Sequence, residues 1–369
     1  MTRPRIITGI DLPLEPSCGS TIWASDVYQR LSPHFQATFL ALPGSGTWKH
    51  NFEQTRTLTT VKAPYGPQFD TYTAELTCEV EKILRTRRAD VIHAQHLGFG
   101  LSLAFARAVR GTPVISIAHG TDVIAAADSE QARAALVEIV TASAAVVVPN
   151  EAMAEQVKAL TGGQFTDRLV IIPWGIPLPA APTVQPTDGP RLRLLHAGRL
   201  DPNKSTVTAV EALALTRHDH HLTVIGSGSE LPALTVRASE LGLTGRVQFI
   251  PFLSREDLWT RFADFDALLF TTRQLEAFGL VGVEAQAHGL PVLFSDLPGL
   301  RDTLGSGALP YTAGDPSALA AAIDQIADAP EARQALRTAA TANARRHDIA
   351  TTTRQLHALT TKVMGPAHA

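Results

Sequence analysis

Short apolar runs, each followed by a stretch with helical spacing, recur along nearly the whole chain. Arg5–Ile10, Gln36–Leu42, Val91–Ala94, Val114–Ile117 and Ala145–Val148 read as strands in the first half. They are rich in Val, Ile and Leu and do not alternate with polar residues, as expected of parallel strands covered on both faces. Ile22–Leu31 and Thr71–Arg88 have helical periodicity, the latter with alternating charges on its outer face. Residues 43–66 carry no such pattern and read as an irregular loop. The stretch 177–190 holds five prolines and almost no large apolar residue, so it reads as a linker. Beyond it the alternation starts afresh, with strands at Leu192–His196, Leu222–Ile225, Val247–Phe249, Ala267–Phe270 and Pro291–Phe294, and a last helix over about Ala350–Val363. The expected class is α/β. Two doubly wound domains, residues 1–177 and 191–349, are joined by a linker at 178–190.

Composition agrees with that division and narrows the partners. A chain of 369 residues, 45% apolar, fills two domains more readily than one. Lys and Arg number 32 against 35 Asp and Glu, which gives no electrostatic case for a nucleic acid or a strongly anionic membrane surface. The two cysteines, Cys18 and Cys78, form no metal-binding spacing and read as free thiols in a reducing compartment. The start lacks the apolar core of a signal peptide, and no run reaches the roughly 18 apolar residues of a spanning helix. The expectation is a cytoplasmic protein without stable membrane insertion.

Candidate chemistry concentrates where strands end. After Ala267–Phe270, the stretch from Glu276 to Pro291 reads as a tight turn opening a helix near Gly279. Free backbone N–H groups of Phe278, Gly279 and Leu280 would face an anion there. Gly279 permits close approach of a ligand, and Glu276 and Glu284 offer acceptors for hydroxyls. That set suits a sugar on a nucleotide diphosphate, although any open α/β sheet has strand-to-helix turns with solvated glutamates. A second segment runs from His196 through Gly198, Arg199 and Lys204. It presents a planar fork and a point charge five residues apart, a pattern that fits a phosphate and also fits two solvated cations. Gly226-Ser-Gly228 follows another strand but lacks the third glycine and the spaced acid of a dinucleotide fingerprint. His119, after Val114–Ile117, stands at a strand end. Asp264-Phe-Asp266 and the cluster His218-Asp-His220-His221 invite a metal reading, which their positions beside a strand start and in a loop disfavour.

The sixteen or so positions from Glu276 resemble the E-x7-E signature of retaining glycosyltransferases of the GT-B fold, family 4, with Ala277 where the family has Gly. His196 to Ser205 is similar to the family's G-R-L-x-x-x-K-G, with Ser205 in place of Gly. The resemblance implies two Rossmann-like domains facing a cleft, the first being the acceptor-binding domain and the second the donor-binding one. It also implies a C-terminal helix, residues 350–369, crossing back to the first domain. It assigns Arg199 and Lys204 to the diphosphate, Glu276 to the donor sugar and Glu284 to the ribose. His119 is carried over as a ligand of the donor sugar, completing a catalytic set of Arg199, Lys204, Glu276 and His119. Donor contacts are implied for Gly19, Gly198, Gly226, Gly228, Phe252, Ala277, Phe278, Gly279 and Leu280, and acceptor contacts for His93, Asp122 and Trp174.

The implied reaction is metal-free and uses no cofactor. The donor diphosphate leaves against the two cations and the helix-start amides, and takes up the acceptor proton. A UDP-sugar such as UDP-GlcNAc or UDP-glucose is the expected donor. A small soluble acceptor, of the aminoglycoside-like natural-product kind, is the expected second substrate. A GDP-mannose-type transferase acting on a lipid or polysaccharide, a GT-B epimerase and a non-catalytic sugar-nucleotide sensor are the alternatives.

Overall fold

The computed structural model describes residues 3–365 apart from Ser17, 44–47, 184–188, Gln274, Leu275 and Ala277. The chain divides into two units. The first comprises Met1–Gly175 with Ile349–Ala369, and the second is the continuous stretch Ile176–Asp348.

In the first unit the strands are β1 (Arg5–Pro13), β2 (Gln36–Leu42), β3 (Gln54–Thr57), β4 (Val91–Gln95), β5 (Val114–Ile117), β6 (Ala145–Val148) and β7 (Leu169–Ile171). They pair in parallel in the order β3-β2-β1-β4-β5-β6-β7, so the order reverses between β1 and β4. Helices α1 (Gly19–Leu31), α2 (Phe69–Thr86), α3 (Gly100–Ala108), α4 (Thr121–Asp128), α5 (Glu130–Ala142) and α6 (Glu151–Leu160) form the connections. The central strands are buried along their whole length, which is why they read as largely apolar runs. By contrast β3 is Gln-Thr-Arg-Thr at the sheet edge, three of its four residues exposed. It lies inside the stretch 43–66 read as irregular. A polar edge strand has no apolar signal to find, and that expectation is corrected here.

In the second unit β8 (Arg193–Ala197), β9 (His221–Ile225), β10 (Val247–Ile250), β11 (Ala267–Phe270), β12 (Val292–Ser295) and β13 (Ala308–Tyr311) are also parallel, in the order β10-β9-β8-β11-β12-β13. The reversal falls between β8 and β11. Helices α7 (Thr206–Leu215), α8 (Leu231–Glu240), α9 (Arg255–Arg261), α10 (Leu280–Ala287), α11 (Pro298–Leu304), α12 (Pro316–Asp328) and α13 (Pro330–Ala344) complete it. Its core gathers Leu194, Leu200, Val210, Leu213, Val224, Leu269, Leu293 and Ile323. Ser254 caps α9 through the Asp257 N–H and Asp315 caps α12 through Ser317 and Ala318.

The last helix, α14 (Ile349–Met364), belongs to the first unit. It packs against α1, Thr352 Oγ1 donates to the Pro173 carbonyl at 2.7 Å, and the Thr360 hydroxyl meets His93 Nε2 at 3.1 Å. No described helix is long and apolar enough to cross a membrane.

Candidate functional site

The loops that follow β8 and β11, the two strands flanking the reversal in the second unit, hold most of the residues singled out in the sequence. Open parallel sheets bind ligands beyond such strand ends. Asp201 caps a short 3-10 turn, Pro202–Lys204, and Ser205 adopts a left-handed conformation before α7 begins at Thr206. Segment 271–273 stitches this turn in place. Thr271 Oγ1 donates to the Lys204 carbonyl at 2.7 Å, the Arg273 N–H to the Asn203 carbonyl at 3.0 Å, and Arg273 Nε to Ser205 Oγ at 2.9 Å.

Held this way, Lys204 Nζ donates to Glu276 Oε2 at 2.6 Å, with both side chains about three-quarters shielded. Burial alone would raise the Glu276 carboxyl. The charge and hydrogen bond of Lys204, the Gly279 N–H and the Arg199 charge outweigh it and hold Glu276 below the ordinary carboxylate value. Arg199 is largely exposed and lies 3.4 Å from Asp201. His196, in β8 beneath the loop, shares a hydrogen with Thr206 Oγ1 at 3.0 Å and lies 3.1 Å from the Leu269 carbonyl. Burial, assisted by the Lys204 charge and opposed by that carbonyl, brings its pKa down to about 4, so it is neutral at pH 7.

The glycines divide by role. A Cβ on Gly226 would lie 1.9 Å from the Gly198 carbonyl oxygen, and one on Gly228 would lie 2.2 Å from the Leu200 carbonyl oxygen. Both therefore let the loop after β9 lie directly on the loop after β8. A Cβ on Gly198 would meet nothing within 4 Å. Gly279 has φ +76°, and its Cβ would come within 2.9 Å of Leu300 Cδ2, so it turns the chain into α10 where a side chain does not fit. Leu280 opens that helix. The Phe278 ring is buried against His347, ring centroids 5.2 Å apart. Phe252 is 44% exposed, and its N–H reaches Ser227 Oγ at 3.4 Å. Ala277 lies outside the described residues.

Glu284 is buried in α10, with Arg255 Nε of α9 at 2.8 Å from its Oε1. That partner was missed in the sequence, where one Arg at the start of a helix looks like any solvated cation.

The remaining expected site residues lie in the first unit. Gly19 opens α1. His119, just beyond β5, is buried; its Nε2 donates to Gln95 Oε1 at 2.8 Å, and its ring stacks on His96 and meets Trp174 edge-on. Burial, with a further push from His96, keeps it neutral. His93 and Asp122, expected at the acceptor, both lie buried with partners inside the first unit. His93 is fully buried, with Nδ1 on the Tyr28 hydroxyl at 2.9 Å and Nε2 on Thr360. Asp122 is buried at the start of α4, where it accepts the N–H groups of Leu97, His119 and Gly120. Trp174 is buried and stacks on Trp23 with centroids 4.7 Å apart, a packing contact. His96 belongs to the same cluster, with a left-handed φ of +72° and its ring stacked on Phe99 and His119, features that have no signature in the sequence.

The metal-like patterns resolve into local contacts. Asp266 accepts from the Arg193 N–H at 2.8 Å, and His218 meets Asp328 at 2.7 Å. No group of three or more metal-holding side chains occurs among the described residues.

Residues 24–175 match the model of the glycosyl transferase 4-like domain, and residues 181–343 match that of the glycosyl transferases group 1. The chain belongs to the group 1 glycosyltransferases, family 4 type. Among curated members of this group, a glycogen synthase of Mycobacterium tuberculosis is 28% identical over 268 residues, which are 68% of this chain and 63% of that one. A D-inositol 3-phosphate glycosyltransferase of Jonesia denitrificans is 38% identical over 119 residues, 29% of this chain and 27% of that one. The chain thus matches less than two thirds of the length of these relatives. The GT-B fold is shared with solved structures. Anabaena HepE in complex with UDP and glucose superposes with a TM-score of 0.78 at 20% identity, covering 97% of this chain and 99% of that one. Sucrose-phosphate synthase from Thermosynechococcus elongatus gives 0.81 at 19%, covering 97% and 98%.

Proposed function

We propose that this group 1 glycosyltransferase moves a sugar from a nucleotide-sugar donor to a hydroxyl of a small acceptor, with retention at the anomeric carbon and without a metal. The observation that carries the reading is the contact of Lys204 with Glu276 at 2.6 Å, beside Arg199 and the Gly279 N–H. One sugar-directed carboxylate and the charges suited to a diphosphate meet at a single point. In the reaction, the bond from the anomeric carbon to the diphosphate oxygen breaks. The acceptor oxygen bonds the same carbon on the same face, and the acceptor proton passes to the leaving diphosphate. Lys204, Arg199 and the amides at the start of α10 stabilise the charge growing on that diphosphate, so their main effect is on the transition state. Glu276 accepts from hydroxyls of the donor sugar and Glu284 from the ribose.

UDP-sugars come first as donors, supported by the solved neighbour crystallised with UDP and glucose. A cyclitol comes first as acceptor, supported by the relatives named for D-inositol 3-phosphate. A longer match than that one, to a glycogen synthase over 268 residues, supports an α-glucan as the competing acceptor.

The test is a thermal shift and donor-hydrolysis series with UDP-, GDP-, ADP- and dTDP-sugars, with and without EDTA. One donor, at a hundred times its Kd, is expected to stabilise the protein by about 2.7 kcal/mol regardless of EDTA. Lys204→Ala is expected to lower turnover by about 10²–10³-fold, the scale of losing one electrostatic contact to the transition state. Failure of every nucleotide sugar to bind, or a requirement for a divalent ion, would overturn the reading.

A further inference from the structure

We propose that Arg255 is the positioning residue for Glu284, and that through it the protein demands a ribonucleotide donor over its 2′-deoxy counterpart. The inference rests on the donor reading above, and on the assignment of Glu284 to the ribose in particular.

Glu284 is buried, and a carboxyl in that setting needs a counter-charge to remain ionised. Arg255 supplies one that is never lost, since guanidinium does not deprotonate in proteins. Its Nε lies 2.8 Å from Glu284 Oε1, with the two side chains only 11% and 7% exposed. The guanidinium is held from its other side, 4.6 Å above the Trp259 ring, and Trp259 in turn lies against His288 at the end of α10. Arg255 therefore sits between a ring of its own helix and a carboxylate of α10. It also joins two pieces of the proposed donor site. Arg255 immediately follows the 251–254 loop that carries Phe252, and that loop is tied to the Gly226–Gly228 turn through Phe252 N–H and Ser227 Oγ.

The chemistry follows from donor and acceptor capacity. An ionised carboxylate only accepts hydrogen bonds, so it takes both hydroxyls of a ribose cis-diol; a protonated or misdirected one does not. A 2′-deoxyribose brings one donor instead of two. A hydrogen bond to a charged group that is lost with no replacement corresponds to a loss in affinity of about 10- to 100-fold.

The experiment measures Kd by calorimetry for UDP and 2′-deoxy-UDP, and likewise for ADP and GDP with their 2′-deoxy forms. It uses the full chain and its Arg255→Met, Arg255→Lys and Glu284→Gln variants. The wild type is expected to prefer the ribonucleotide by about 10- to 100-fold. Arg255→Met is expected to collapse that ratio to within about threefold, mostly by weakening the ribonucleotide, and Arg255→Lys to restore part of it. Glu284→Gln keeps the shape of the side chain and is expected to collapse the ratio as well, which keeps the test open if Arg255→Met fails to fold. A ratio unchanged in Arg255→Met or Glu284→Gln, or both nucleotides weakened equally, would make the pair a packing element and overturn the proposal. Absence of any nucleotide binding by the wild type would instead bring down the donor reading itself.

Discussion

At Gly226 the distance between two loops is set by the lack of one carbon. A methyl there would sit 1.9 Å from the Gly198 carbonyl oxygen, and the backbone φ of +156° adds strain for any other residue. Gly226→Ala should therefore push the loop after β9 off the loop that carries Arg199. The expected cost is about 1–3 kcal/mol, the usual range for forcing a group into a packed site, read from urea unfolding. Nucleotide affinity should fall with it, and unchanged stability would mean the two loops are free to part. At this scale the sequence was legible where residue types came in a spaced set. Lys204 and Glu276 were singled out 72 positions apart and meet in the fold. It was not legible where a role depends on which neighbour a side chain finds. Arg255 carries no local mark of its carboxylate. His93 was carried over toward the acceptor by the resemblance, yet a strand covered on both faces turns its polar side chains into the covering helices.

Among the elements, strands with apolar runs of four residues or more beside a clear helical stretch were legible, and a polar or very short strand was not. β4, β5 and β6 announced themselves, whereas β3 is polar and β7 has only three residues. The last helix was legible as a helix from its spacing, while its docking on the first unit came from the family resemblance alone, because an amphipathic face does not name its partner. The structure supplies that partner through particular contacts, among them the Thr360 hydroxyl on His93 Nε2. Thr360→Val removes that hydroxyl at nearly constant volume and leaves a buried ring nitrogen without its mate. The expected loss is about 1–3 kcal/mol in a urea titration, the cost of an unsatisfied buried polar group. A change under about 0.5 kcal/mol would fit a surface site instead.

On the scale of the whole molecule, burial holds histidines neutral in both units. The pKa falls to about 3 for His93 and for His96 and to about 4 for His196, while His119, His220 and His288 are also lowered. In the unfolded chain each titrates near 6.5. The stability they contribute is fully present above that value. As pH drops below it the unfolded chain binds protons that the folded chain refuses, and each such residue costs up to about 1.4 kcal/mol per pH unit until its folded value is reached. Urea midpoints should be flat from pH 8 to 7 and fall markedly by pH 5; equal midpoints at 7 and 5 would mean these rings are protonated in place. The first unit is written in two pieces, with all of the second unit between them. A ribosome adding roughly 5–20 residues per second needs on the order of 10–40 s to pass from Gly175 to the end of α14. Throughout that interval the nascent first unit has no Thr360 for its His93, so the second unit, a continuous stretch, has all its residues out before the first one does.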